Sequence, residues 1–337
     1  MRRQERQSAA PRGFARRLAL AALTLAALFA AAPASAQGGY PMRPVTLLVG
    51  FAPSGGTDLI ARAIGPKLGE LLGQSIVIEN RPGASGMIAA AAGARAASDG
   101  YTLLMGHVSA NAMVPAIVRN LNYDPVKDFT PIGLIGHVPQ VVVVPADSPA
   151  KTLAEFITML KARPGKYSYA SSGVGTQQHF AAELFKQATG TDMLHVPFKG
   201  SGAAITDLIS GRVDVNFDTV PSVLQQIKSG KLRALAVTTA TRVAVLPNVP
   251  TVIESGVPGY DISTWYMLLG PKNLPPEIAA KLNEALNRLL KLPDVRDKLE
   301  GYGTDVGGGT QARAAELLGS EVRRWKAVAA KSNIVAE

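Results

Sequence analysis

The stretch FAPSGGTDLIARA, residues 51–63, decides the fold. It closes the apolar run VTLLVGF (45–51) and leads into a segment with helical spacing, and Ser54, Gly55 and Gly56 stand between the two. An apolar run without alternation is a strand covered on both faces. A small-residue turn between such a strand and a helix is the mouth of an open α/β sheet, where ligands bind beyond the carboxyl ends of the strands. Glycine lets a ligand approach the backbone, and the first N–H groups of the helix point outward. The turn therefore reads as a pocket for an anion at a helix N-terminus. Asp58 is a first-turn acid favoured by the helix dipole. If it faced the pocket it would repel an anion, and would instead hold an amino group, a hydroxyl or a water. Arg62, one turn on, reads as a solvated helix residue.

Outward from this turn, the runs YTLLMG (101–106), VVVVP (141–145), YSYAS (167–171), DVNF (214–217) and LRALAVTT (232–239) are predicted strands. Thr152 and Glu155 have capping-box spacing at a helix start. Gly190, Gly211 and Gly230 each follow a helical run that they can close in the left-handed conformation. Pro275 and Pro276 precede an amphipathic helix from Glu277 to about Leu290. Strand and helix in alternation predict an α/β fold with mostly parallel sheets. The segment YASSGVGTQQHFAAELF (169–185) repeats the opening layout of strand, small residues, threonine and helix. Two such mouths far apart in sequence predict two lobes, each presenting one loop. Neither is a nucleotide loop: no lysine stands where a Walker motif needs one, and Gly173-Val174-Gly175 continues into Thr176, Gln177 and Gln178 rather than G-x-G-x-x-G. Micromolar affinity needs about 8 kcal/mol, whereas one helix N-terminus supplies about 0.3–2 kcal/mol toward an anion. One mouth is too little, and two opposed mouths with water excluded reach that range.

Six arginines, an apolar run from Leu18 to Ala32 and Ala34-Ser35-Ala36 read as a secretory signal peptide over residues 1–36. That leader holds 6 of the 35 basic residues and one of the 25 acidic ones, so the remainder carries +5 rather than +10. The remaining basic residues are scattered without aromatic interleaving, which argues against a nucleic-acid partner. With no cysteine there is no disulfide, thiol nucleophile or cysteine metal site. His107, His137, His179 and His195 lack paired ligand spacing, so no metal site is expected.

The stretches RPVTLLVGFAPSGGTDLIAR, VIENRPGASGMIAA, NYDPVKDFTPIGLIG, GTQQHFAAELF, HVPFKGSGAAITDLISGRVDVNFDTVPS and LPNVPTVIESGVPGYDISTWY together make the chain resemble the Bug-type extracytoplasmic solute receptors, the substrate-binding proteins of tripartite tricarboxylate transporters. The resemblance runs from about Pro41 to Ile334. It implies a type II periplasmic binding protein, a Venus flytrap in which each of two lobes has a mostly parallel central sheet flanked by helices. Lobe one would hold residues 41–137 and 265–337, and lobe two residues 138–264. It implies ligand contacts from Phe51, Ala52, Pro53, Ser54, Gly55, Gly56, Thr57 and Asp58 in the first loop and from Ser171, Ser172, Gly173, Gly175 and Thr176 in the second. Ser109 and Asn111 would border the cleft, and Phe198, Lys199, Gly200, Ser201 and Asp218 would form its far wall, with Trp265 nearby. The chain departs from the family pattern at Ser54, where glycine is common, at Phe198, where tyrosine is frequent, and at Thr219, where asparagine often follows the aspartate.

The expected function is capture of a small carboxylated solute, an organic acid, acidic amino acid or aromatic acid, for delivery to membrane subunits of a transporter. A monomer in the periplasm, without cofactor or catalytic residues, is expected. A sensor that docks on a membrane signalling protein is one alternative. An exported hydrolase with Ser171 or Ser172 as nucleophile and His179 as base is another, although no orienting acid lies near them in sequence.

Overall fold

A computed structural model describes residues 39–332 and 334. The expected leader lies outside the described residues. In chain order come β1 (Val45–Val49), α1 (Gly56–Leu72), β2 (Ile76–Asn80), α2 (Met87–Ala94), β3 (Thr102–His107), a π-helical turn at Ser109–Met113 and the short α3 (Val114–Ile117). The long β4 (Phe129–Pro145) follows, then α4 (Leu153–Ala162), β5 (Ser168–Ser171), α5 (Gln177–Thr189), β6 (Leu194–Pro197), α6 (Ser201–Ile209), β7 (Val215–Thr219), α7 (Val220–Lys228) and β8 (Leu232–Val237). The chain returns through β9 (Ser263–Pro271), α8 (Pro276–Leu289), α9 (Pro293–Glu300), β10 (Asp305–Val306) and α10 (Gln311–Ser332).

The strands form one path, β2-β1-β3-β9-β4-β7-β5-β6, with β8 and β10 also paired to β4. β4 joins two half-sheets. From Phe129 to Pro139 it pairs with β9, and from Gln140 to Pro145 it pairs with β7 and β8. In the first half-sheet β1 is parallel to β2 and β3; in the second, β5 is parallel to β6 and β7. The antiparallel strands β4, β8, β9 and β10 make the combined sheet mixed. Both glycine-rich mouths open at the carboxyl ends of parallel strands, β1 and β5, as the order of strand and helix requires.

Local chemistry sets the element ends. Thr152 Oγ1 accepts from Glu155 N at 3.2 Å, while the Glu155 carboxylate accepts from Lys151 N at 2.7 Å, one residue ahead of the usual reciprocal partner. Gly190 closes α5 at φ 62°, a left-handed conformation that a Cβ would strain. Pro276 opens α8, where a missing N–H costs nothing. Tyr169 of β5 and Phe217 of β7 share a core with Phe156 of α4 and with Phe180 and Phe185 of α5, all essentially inaccessible to solvent. α10 covers β4 and joins this core, its Trp325 ring edge-on to Phe180 at 5.4 Å, and its Glu321 accepts indole hydrogen bonds from both Trp265 and Trp325, each at 3.0 Å. No helix among the described residues is long and apolar enough to cross a membrane.

Candidate ligand-binding cleft

The first mouth runs from the end of β1 to Gly56. Ser54 sits at φ 66°, in the left-handed region that favours glycine, and its N–H is held by Asp58 Oδ2 at 3.0 Å. Asp58 is turned back into the protein. Its carboxylate also accepts from Arg62 Nε at 2.9 Å and from Asn80 Nδ2 at 3.0 Å. Burial alone would push its pKa up, but the bonds from Arg62, Ser54 N and Asn80 outweigh that and hold it below the usual carboxylate value. An acid placed at the mouth of an anion pocket thus braces the loop from behind, and Arg62, solvent-exposed as expected, is its counter-charge.

The second mouth, between β5 and Gln177, is braced by two histidines. Ser171 Oγ lies 2.6 Å from His195 Nε2 and accepts from Gly173 N at 3.1 Å, while Gly175 N donates to His179 Nδ1 at 3.1 Å. The rings of Tyr169, His195 and His179 stack in a column with centroids 4.7 and 4.4 Å apart. Burial pushes the His179 pKa down to about 4, so the ring is neutral near pH 7 and its Nδ1 can accept. This is scaffolding. Ser171 is fully buried and paired with His195, His179 is engaged by the Gly175 amide, and Ser172 Oγ meets Ser201 Oγ at 3.1 Å. No nucleophile-base pair of the hydrolase alternative is assembled.

The two mouths line one chamber of about 20 Å³, room for a single water. Phe51, Ala52, Gly55, Gly56 and Thr57 enter from the first mouth and Ser172 and Gln177 from the second. Ser201, Asp218 and Thr219 close the far side, and His107 and Tyr266 form the base. His107 lies between the rings of Phe51 and Tyr266, with centroids at 4.6 and 5.3 Å, and its Nδ1 accepts from Ser109 N at 3.0 Å. Burial drives its pKa down to about 3. Asp218 is fully buried, which pushes its pKa up despite bonds from Thr219 N at 2.8 Å and Ser201 Oγ at 3.1 Å. Among the described residues no ion pair reaches it.

The first amide of each mouth's helix crosses to the opposite half-sheet. Gly56 N donates to Ser222 Oγ on α7 at 2.9 Å, and Gln177 N donates to Ser109 Oγ at 3.0 Å. Ser109 Oγ in turn donates to Gln177 Oε1 at 2.8 Å. A third crossing bond joins Ser85 Oγ to the Val174 carbonyl. The helix ends expected to be bare amides therefore latch the two halves together.

A larger cavity of about 600 Å³ adjoins this chamber and shares Phe51, Ala52 and Ser172 with it. Its walls are residues 82–87, Val114, Ile117 and Val118 on one side, and Gly173, Val174, Phe198, Lys199 and Gly200 on the other. Gly83, Ala84, Ser85 and Gly86 all have positive φ, at 129°, 46°, 55° and 92°. For the two non-glycine residues such geometry costs about 1–3 kcal/mol each and clusters at functional sites. At the junction, Gly200 at φ 140° brings its backbone against the first mouth: a Cβ there would stand 3.1 Å from Ala52 Cβ. Among the described residues the Ala52 and Gly200 amides donate to no protein group.

Of the expected site residues, Pro53, Ser54, Asp58, Ser109, Asn111, Ser171, Gly175, Thr176 and Trp265 line neither space. Asn111 Oδ1 holds His107 N at 3.0 Å, and Thr176 Oγ1 holds the Gly173 carbonyl at 2.7 Å. Trp265 faces Glu321, and its strand neighbour Tyr266 takes the cleft side, because successive residues of β9 point to opposite faces. The sequence reading did not assign His107, Gln177, Thr219, Ser222, residues 82–87 or the apolar side chains of residues 114–118 to the cleft. The turn chemistry of RPGASG was the one visible signal among them.

Two half-sheets joined by the long β4, with paired mouths meeting in one cleft, are the layout of a solute-binding receptor. The chain belongs to the tripartite tricarboxylate transporter family of receptors, whose profile matches residues 60–334. Protein BugT of Bordetella pertussis is 36% identical over 93% of this chain and 96% of its own length. The structure of Rpa4515 from R. palustris with adipate superposes with a TM-score of 0.86 at 38% identity, covering 88% of this chain and 99% of that one. MatC from Rhodopseudomonas palustris with bound malate superposes with a TM-score of 0.82 at 35% identity, over 86% and 99% of the two chains. The protein is a receptor and not an enzyme.

Proposed function

We propose that the protein is exported by its N-terminal leader and captures a small carboxylated solute between two lobes in the periplasm, for delivery to the membrane subunits of a tripartite transporter. The observation that carries this reading is the reciprocal pair of helix-end bonds, Gly56 to Ser222 and Gln177 to Ser109, which lie beside one shared space. Closure then both buries the solute and completes the protein's own hydrogen bonds. In this reading lobe one comprises residues 41–137 and 265–337 and lobe two residues 138–264. The change of β4 partner after Pro139 and the start of β9 at Ser263 support that division. Solute contacts come from the loop residues ahead of each helix, from the Ala52 and Gly200 amides, and from Ser172, Phe198, Lys199 and Ser201. That adipate and malate occupy relatives of this fold supports a carboxylate.

A thermal-shift screen of carboxylates on ligand-stripped protein tests the reading. A ligand at 100 times its Kd stabilises the folded state by about 2.7 kcal/mol, or about 5 °C for a chain of this size. No shift from any acid, with the protein folded, overturns it.

A further inference from the structure

The character of the larger cavity narrows the solute class. Ten of its side chains are hydrocarbon or thioether, the bulkiest being Phe51, Met87, Ile117 and Phe198. Lys199 is the one cation lining it, and no arginine lines either space. The hydroxyl of Ser85, the polar side chain on the strained wall, donates to the Val174 carbonyl and is directed across the cleft rather than offered to a guest. The chamber of about 20 Å³ beyond the junction is too small for a carboxylate and contains the buried Asp218. A polar head is thereby stopped at the junction, beside the Ala52 and Gly200 amides, and whatever is attached to it lies in the apolar cavity of about 600 Å³. A second carboxylate on that body would face walls that are mostly hydrocarbon, with Lys199 as the one lining cation to offset its desolvation. Ligand sites of this size generally hold bodies much larger than a four-carbon acid.

We propose that the solute is a monocarboxylic acid with a bulky apolar body, an aryl-substituted or branched aliphatic chain, whose carboxylate binds at the junction and whose body fills the cavity walled by residues 82–87 and 114–118. The inference rests on the carboxylate reading above and selects within it, against the di- and tricarboxylic acids.

Isothermal titration of the mature, ligand-stripped protein with 4-phenylbutyrate, adipate, citrate and the uncharged 4-phenylbutyramide tests it. 4-Phenylbutyrate binds at least tenfold more tightly than adipate or citrate, with a negative heat-capacity change from apolar burial. Removing one methylene from its chain weakens binding about fourfold. Val118→Asn weakens 4-phenylbutyrate at least tenfold and weakens adipate by a smaller factor. Adipate or citrate binding more tightly than 4-phenylbutyrate overturns the inference while leaving the carboxylate receptor intact. Binding of the amide as tightly as the acid overturns the carboxylate reading and retains the apolar body. Failure of all four to bind overturns both.

Discussion

Gly56 is the residue at which closure and fold can be separated. It opens α1 with ordinary helical geometry, so alanine there meets no backbone penalty and gains up to about 1 kcal/mol of helix propensity. Its neighbours across the cleft are another matter: a Cβ on Gly56 would stand 2.3 Å from Thr219 Oγ1, 3.1 Å from Ser222 Oγ and 3.3 Å from Thr219 Cβ. Thr219 Oγ1 cannot swing away freely, since it is bonded to Ser222 Oγ at 2.8 Å. In Gly56→Ala the first mouth must therefore back off from α7. The bond from Gly56 N to Ser222 is worth about 0.5–1.5 kcal/mol, and overpacking adds about 1–3 kcal/mol. Because the two sides belong to different half-sheets, this cost of about 1.5–4.5 kcal/mol falls on closure rather than on folding. Affinity should drop about 10-fold to 2,000-fold, while the melting temperature of the ligand-free protein stays within about 3 °C of wild type.

The assay is titration calorimetry with the tightest-binding acid of the panel, alongside melting curves without ligand. Thr219→Ala removes the nearest clashing atom, so the double variant should recover most of the lost affinity, with a coupling above about 1 kcal/mol in the mutant cycle. Gly56→Ala binding within threefold of wild type would refute the reasoning. So would a fall in affinity that Thr219→Ala does not relieve, or one accompanied by a melting temperature more than about 10 °C lower.

Ser54→Val should destabilise the fold by about 2 kcal/mol in urea titration, because a β-branched side chain is placed at φ 66°, whereas Ser54→Gly should cost nothing. Glu321→Ala leaves two buried indole N–H groups without an acceptor and should cost about 2–5 kcal/mol, with ligand affinity within twofold of wild type because Trp265 faces away from the cleft. Stability should fall as pH drops below 6.5. His107 and His179 stay neutral in the fold, with pKa values pushed down to about 3 and about 4, while the unfolded chain takes up those protons from 6.5 downward. Each group contributes up to about 1.4 kcal/mol per pH unit, complete above 6.5 and lost toward its folded value. His179→Gln should flatten that limb of the urea midpoint between pH 6.5 and 4.

Much of the frame was legible because its strands are apolar runs ending at glycine-rich turns. The parts that escaped did so for local reasons. The first two-thirds of β4 is interrupted by Pro131, Gly133, Gly136 and Pro139, which read as breakers, and the strand absorbs them through register shifts around Pro131–Gly133 and Leu134–Gly136. β2 and β6 are short and half exposed, with too little burial contrast to stand out. In the site, the shared layout of the two turns implied a common chamber, and both line one. The direction of Asp58 was not legible, since it depends on Asn80, which reaches it from the neighbouring strand. Nor was the choice of Tyr266 over Trp265, which follows from the register of β9 against β4 rather than from residue type.

The placement of the helix ends changes how an anion is held. With Gly56 N and Gln177 N already donating to serines of the opposite half-sheet, neither helix offers its first amide to a solute in the closed form. The dipoles still favour negative charge nearby, by about 0.3–1 kcal/mol each, but direct hydrogen bonds must come from the loops ahead of the helices. Asp218 reinforces the point: a carboxylate pressed into the small chamber would meet another buried carboxylate with no cation to separate them. The position that satisfies all three constraints is the junction, outside Asp218, beneath the Ala52 and Gly200 amides and open to the apolar cavity. Helix ends that close the trap and loop amides that hold the solute are distinct parts. Gly56→Ala should therefore weaken every bound acid by a similar factor, whereas Val118→Asn should discriminate among them.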